Sequence, residues 1–134
     1  MENMLDKLRS MTGRIPSYNP WYFDEKREIH LSCPVGDATS IGVYKDSNIS
    51  IGKTTFSPGT ALSKHCHQER EIIMVLVGEI TVVLIEGRKH RTVRVKQHEM
   101  LEVPPMVRHY SYCDVGTVII FTLLPGNSNY PPDL

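Results

Sequence analysis

The chain has few of the features that mark secreted, membrane-bound or nucleic-acid-binding proteins. Its three cysteines, Cys33, Cys66 and Cys113, are widely spaced and form no CxxC pair, so no disulfide framework is expected. The first residues mix acids and bases, which is not typical of a signal peptide. No apolar run approaches the roughly 20 residues that a membrane span needs. We therefore expect a reduced, cytoplasmic protein with no membrane partner.

An excess of charge of either sign is also lacking. Lys plus Arg and Asp plus Glu number 15 each, so the formal net charge is zero. A neutral chain has no overall field that steers nucleic acid, and no nucleic-acid partner is expected. What is present is ordinary globular composition: 134 residues, 40% of them hydrophobic. This length and composition predict one domain with a core of its own.

Short apolar or alternating runs broken by turn residues fill the chain after Glu28. They predict strands at 28–33, 40–44, 48–56, 72–77, 79–86, 91–95, 100–103, 109–113 and 117–124. The runs on either side of Gly78 are interpreted as a hairpin. At least eight short strands without helical periodicity favour an all-β fold, a single antiparallel β-barrel or jelly roll.

The two ends of the chain differ from this pattern. A short N-terminal amphipathic helix is predicted from apolar residues at helical spacing, namely Met4, Leu5, Leu8 and Met11. An aromatic arm with Trp21 follows it. We therefore divide the chain into a helix and arm (1–39), a barrel (40–126) and a C-terminal tail (127–134). The apolar groups of the first part would cover more surface than a monomer usually exposes, so a homodimer is expected, although they could equally fold back on their own barrel.

Histidines form the most distinctive cluster in the sequence. His65 and His67 are two residues apart, so in an extended segment both imidazoles lie on one face and can chelate a transition metal. Glu69 and Glu71 follow, and either one could supply an oxygen ligand. His109 lies on a later predicted strand, from which a barrel could bring it to the same interior site. Alone, such a pair or a single histidine is more often a surface or core residue than a ligand.

The spacing around these residues resembles the first sequence motif of the cupin family. Gly59-x5-His65-x-His67-x3-Glu71-x6-Gly78 matches that motif at every position. The second motif, G-x5-P-x-G-x2-H-x3-N, is matched only by Pro104 and His109, with His98 and Met106 at the glycine positions and Cys113 at the asparagine. Because those glycines are turn positions in the family, the departures concern loop shape rather than the ligand.

The resemblance implies a cupin-like double-stranded β-helix over about 40–124, with one metal ion held by His65, His67, Glu71 and His109. Glu71 is favoured over Glu69 because a carboxylate that heads six apolar residues needs an interior partner. An ion pair of Glu71 with Arg70 or Lys64 at the rim is the alternative.

Three histidines and a glutamate would leave two positions open on an octahedral ion, as at a site for substrate or oxygen. The ion is expected to be a divalent transition metal (Fe, Mn, Ni, Co, Cu or Zn), and the partner a small molecule. The resemblance favours a metal-dependent enzyme, a dioxygenase or isomerase acting on a small polar or acidic molecule, with no catalytic residue identified. The alternative is a non-catalytic binding or sensor protein.

Strand parity makes further predictions about the cavity. Ser111 and Cys113 share the face of His109 and are expected to lie inside, whereas Arg108, Tyr110 and Tyr112 point outward. Cys66 lies between two ligands in sequence, and the alternation places it on the opposite face as a buried thiol outside the pocket.

Overall fold

The described part of the chain, residues 28–125 of a computed structural model, consists of ten strands and no helix. The strands are β1 (Glu28–His30), β2 (Ala38–Lys45), β3 (Ser50–Phe56), β4 (Thr60–Ala61), β5 (Arg70–Val77), β6 (Glu79–Glu86), β7 (Lys89–Lys96), β8 (Met100–Val103), β9 (Arg108–Cys113) and β10 (Thr117–Leu124). The predicted all-β class is confirmed, and β4 is the strand that the sequence pattern missed. No membrane-spanning helix occurs in these residues.

Two antiparallel sheets make up the fold. One has the order β1-β2-β3-β10-β5-β8 and the other the order β4-β9-β6-β7. Strict alternation in β10 turns every second side chain inward. The sheets face each other in a jelly-roll-like arrangement, and their inner faces form one core: Ala38, Phe56, Ile73, Val75, Ile80, Val82, Leu84, Val95, Val103, Cys113 and Ile119.

The hairpin predicted at Gly78 is wrong. β5 pairs with β10 and β8, whereas β6 pairs with β9 and β7, so the chain passes from one sheet to the other at Gly78. A single residue cannot reverse a chain within one ladder, because the shortest common hairpin loop has two residues. Gly78 instead makes a corner with φ of 86°, where an added Cβ would lie 2.5 Å from the carbonyl oxygen of Gly116. Only glycine fits this corner.

The predicted N-terminal helix, the aromatic arm and the tail at 127–134 lie outside the described residues. The division of the chain at residues 39 and 126 therefore stays a prediction. The expected homodimer also stays a prediction, since it depends on contacts between two chains.

Two turns have left-handed backbone, the conformation that favours glycine, at residues other than glycine. Within residues 28–125, His98 and Met106 are the non-glycine residues with positive φ, at 69° and 64°. They are the two positions where the second cupin motif has glycine. Both side chains are exposed, and the Met106 N–H donates a 2.8 Å hydrogen bond to the carbonyl oxygen of His67. The turns therefore have left-handed backbone at side-chain-bearing residues, which is energetically costly.

Replacing either residue by glycine is expected to stabilise the protein. Left-handed backbone costs a side-chain-bearing residue about 1–2 kcal/mol, and glycine loses about 0.5–1 kcal/mol of chain entropy. His98→Gly and Met106→Gly should therefore each raise the free energy of unfolding by about 0.5–1 kcal/mol in urea denaturation. His90→Gly, in exposed strand β7, is the control and should lower it. A loss of stability in both loop variants would show that their turns carry no strain.

Candidate metal centre

Four side chains from three parts of the chain meet between the sheets. His65 and His67 lie on an extended segment between β4 and β5, Glu71 is the second residue of β5, and His109 is the second residue of β9. Two backbone hydrogen bonds, His65 N–H to His109 O (3.0 Å) and His109 N–H to His65 O (2.9 Å), fix the segment against β9. The β-ladder thereby places residues that are 44 positions apart in the sequence side by side.

The distances between these side chains suit the coordination shell of one ion. The three histidines have ligand nitrogens that all lie within 4.8 Å of one another. Oε1 of Glu71 lies 3.1 Å from Nε2 of His67 and 3.5 Å from Nε2 of His109. Two adjacent ligands of an octahedral ion, each about 2.1 Å from the metal, are about 3 Å apart. The three histidines are thus positioned to bind a metal, with the Glu71 carboxylate beside them.

Hydrogen bonds fix the tautomer of each neutral imidazole. In every case Nδ1 faces a backbone carbonyl oxygen two residues away: His65 faces Ser63 at 2.8 Å, His67 faces Glu69 at 2.9 Å and His109 faces Val107 at 2.9 Å. A carbonyl oxygen can only accept, so Nδ1 carries the proton in all three rings. The Nε2 atoms of the neutral rings then present lone pairs, which is the form in which histidine binds a metal.

This arrangement makes lone pairs face one another. Nε2 of His67 and Oε1 of Glu71 are both acceptors, and they repel unless a proton or a cation lies between them. Nε2 of His109 is buried without a hydrogen-bond partner, because its 3.5 Å contact with Oε1 of Glu71 is too long for a good bond. A buried polar atom without a partner is costly, and a metal ion would satisfy all of these groups at once.

The electrostatics of the site agree with a cation position. Burial raises the pKa of Glu71, but the imidazoles of His109 and His67, when protonated at Nε2 in the metal-free site, outweigh it and lower that pKa to about 2. Burial lowers the pKa of His67, yet the Glu71 carboxylate brings it above the ordinary value. Partial desolvation of the imidazole lowers the pKa of His65. Glu71 is therefore ionised at neutral pH and provides the negative charge that a cation needs.

The structure distinguishes between Glu71 and Glu69 as the carboxylate beside the histidines. Glu71 lines the cavity, whereas Glu69 is buried elsewhere and contributes its backbone oxygen to the His67 ring. The rim ion pair with Arg70 is not formed, since Arg70 pairs with Glu102 at 3.3 Å. Of the two glutamates, Glu71 is the one that the fold brings to the histidines.

The histidines open into a cavity of about 380 Å³ between the two sheets. Ser111, inward on β9 as predicted, lines it. Cys113 is also inward, but it belongs to the core rather than the cavity, and burial raises its pKa to about 11.

The prediction for Cys66 is wrong. Its thiol is exposed and lines the cavity mouth, because the segment from Leu62 to Glu69 is irregular and does not keep the two-residue alternation of a strand. The sequence reasoning also missed the apolar side chains that line most of the cavity. The inward parity of β3 and β10 was a signal for them, since Phe56, Ile119 and Phe121 occupy inward positions.

Comparisons with known proteins agree with this geometry. A family model described as the cupin domain matches residues 52–122. None of the curated protein sequences matches the chain. A solved RmlC-like cupin from Shewanella frigidimarina superposes with a TM-score of 0.62 at 19% identity, covering 78% of this chain and 90% of that one.

Two solved enzymes show the same fold. A recombinant oxalate oxidase in complex with glycolate has a TM-score of 0.62 at 20% identity, covering 76% of this chain and 57% of that one. The oxalate decarboxylase of Bacillus subtilis, described for its Mn(II) centres, has a TM-score of 0.61 at 16% identity, covering 76% of this chain and 28% of that one. Identities this low demonstrate a shared fold and nothing beyond it. The family model spans more than half of the sequence and the fold agrees with it, so this chain belongs to the cupin family.

Proposed function

We propose that the protein is a small metal-dependent enzyme of the oxygenase or isomerase type, acting on a small acid. One divalent transition-metal ion would be held by Nε2 of His65, His67 and His109 and by the carboxylate of Glu71. The observation that carries the proposal is the set of lone pairs that face one another, with Nε2 of His109 buried and unpartnered. Such an ion acts as a Lewis acid on a bound oxygen group or activates O₂.

The residues around the ion have separable roles in this proposal. The backbone carbonyls that accept from the three Nδ1 atoms hold the rings in their metal-binding orientation. The apolar cavity wall excludes water from the ligand, which strengthens electrostatic attraction within the site. The Ser111 hydroxyl provides one hydrogen bond to a bound molecule. The neighbouring oxalate oxidase and oxalate decarboxylase, both named for a small acid, support the choice of substrate class.

One observation favours a second function, a non-catalytic binding protein. Apart from the four metal-binding side chains, the titratable residues that line the cavity within 28–125 are Lys64 and Cys66, both exposed. Lys64 lies near the outward ring of Tyr110, with Nζ 5.8 Å from the ring centroid. The cavity therefore offers no buried side chain for proton transfer besides the ligands themselves.

Metal analysis of protein purified without an affinity tag or chelator tests the shared part of both proposals. We expect close to one transition-metal ion per chain by mass spectrometry of the eluted metal. Oxygen uptake and NMR-detected conversion of small acids by the metal-loaded protein then separate the two. Turnover supports the enzyme, saturable binding without turnover supports the binding protein, and a metal content near zero even after reconstitution would contradict both.

A further inference from the structure

The cavity has two ends of opposite chemistry. The histidines and Glu71 form one end. The other end is an apolar chamber, formed by Phe56, Ile73, Ile80, Ile119 and Phe121. All five chamber side chains come from the inner faces of the two sheets, and Ser111 lies between the two ends of the cavity on β9.

A glycine on β3 shapes one wall of the chamber. Phe121 is paired across the ladder with Gly52, and a Cβ at Gly52 would lie 2.1 Å from Cζ of the Phe121 ring. Glycine at this position therefore lets the ring lie against the backbone of β3. Ile73, the partner of Phe121 on the other side, continues the apolar wall onto β5.

The net charge of the proposed metal centre determines which charged group the ligand needs. The proposed divalent ion carries +2. A carboxylate that binds a metal is deprotonated and an imidazole that binds one is neutral, so Glu71 and the three histidines leave one net positive charge. Inside an apolar cavity this charge is best neutralised by one negative group on the ligand. The one other cationic side chain that lines the cavity within residues 28–125, Lys64, is exposed, so a second carboxylate buried in the chamber would have no partner.

Building on the proposed metal site, we propose that the ligand is a monocarboxylic acid whose apolar body fills the chamber. Its carboxylate faces the metal end and its hydrocarbon body packs against Phe56, Ile119 and Phe121. A water molecule occupies about 30 Å³ of liquid, so the cavity of about 380 Å³ has room for about a dozen groups of that size. An acid of about six to eight carbons fits this space, and dicarboxylates as small as oxalate would leave the chamber unused.

A homologous series of acids tests the proposal. Zinc-loaded protein is titrated by calorimetry with acetate, propionate, butyrate, pentanoate and hexanoate. Burial of each methylene contributes about 0.8 kcal/mol, so affinity should rise about fourfold per added carbon. Hexanoate should also shift the ¹³C-methyl NMR signals of Ile73, Ile80 and Ile119. Affinities that stay flat along the series, with no shift of these methyl groups, would overturn the proposed ligand class.

A pair of variants on one strand gives a matched control. Ile119→Thr places a hydroxyl in the chamber and should reduce the increase in affinity for each added carbon. Ile120→Thr changes the outward face of β10 and should leave that increase unchanged. The zinc titration distinguishes failure of the proposed metal centre from failure of the proposed ligand class. Absence of a zinc site would refute the metal centre and the ligand model together, whereas zinc binding with a flat series would refute the ligand class alone.

Discussion

Replacement of His65 by alanine is expected to lower metal affinity by about a hundredfold or more without unfolding the domain. Loss of residues that merely orient a ligand costs about 10- to 100-fold in affinity, so loss of a ligand itself should cost at least as much. The fold should survive, because His65 lies at the cavity mouth and its ring has one hydrogen bond, to the Ser63 carbonyl. Isothermal calorimetry gives the affinity, and circular dichroism gives the folded state.

The control for this experiment is His90→Ala. His90 is exposed on β7, outside the site, so its loss should leave metal affinity unchanged. Glu71→Gln keeps the size of the side chain but removes its charge, and it should also weaken binding. Equal metal affinity in wild type and in His65→Ala would show that His65 does not bind the ion.

Metal affinity should fall steeply as the pH decreases from about 7 to 5. An ordinary histidine titrates near pH ~6.5, and an imidazole must lose the proton at its coordinating nitrogen before it binds a metal. The pKa of His67 is raised, so the metal-free site holds that proton more tightly and competition begins there. The pKa of His65 is lowered, so its competition begins at lower pH. Glu71, with its pKa of about 2, stays ionised throughout this range and takes up no proton.

Calorimetric titrations at pH 7.5, 6.5 and 5.5, in two buffers of different ionisation enthalpy, count the protons that metal binding displaces. We expect the count to rise on acidification to at least one and at most three, one for each imidazole. A site built from carboxylates or backbone oxygens would show almost no displaced protons above about pH 5. A count near zero at pH 5.5 would therefore contradict a histidine site.

Three of the four candidate metal-site residues could be predicted because they follow local spacing. His65, His67 and Glu71 lie within seven residues, and the first cupin motif fixes the distances between them along the chain. The parity of β9 likewise predicted that His109 and Ser111 face inward, since alternation is a property of the extended backbone itself. Irregular segments lack this property, which is why the same reasoning failed for Cys66.

The path of the chain between the sheets could not be predicted from the pattern of strands. Gly78 between two apolar runs is compatible with a hairpin or with a corner, and the choice depends on which strands are available for pairing. Strand β10 pairs with β5, and β9 pairs with β6, so the runs on either side of Gly78 belong to different sheets. Such pairing is a long-range property, and local composition contains little information about it.

The sequence by itself determined the strand class, the inward faces of the regular strands and the residue types of the candidate metal site, because these depend on backbone periodicity and on motif spacing. Tertiary structure alone decided the geometry of that site. It brought His109 beside His65, turned each Nδ1 towards a carbonyl oxygen and left lone pairs facing one another. It also placed Gly52 opposite Phe121, which shapes the apolar chamber. These relations join residues far apart in the chain, and only the packing of two sheets establishes them.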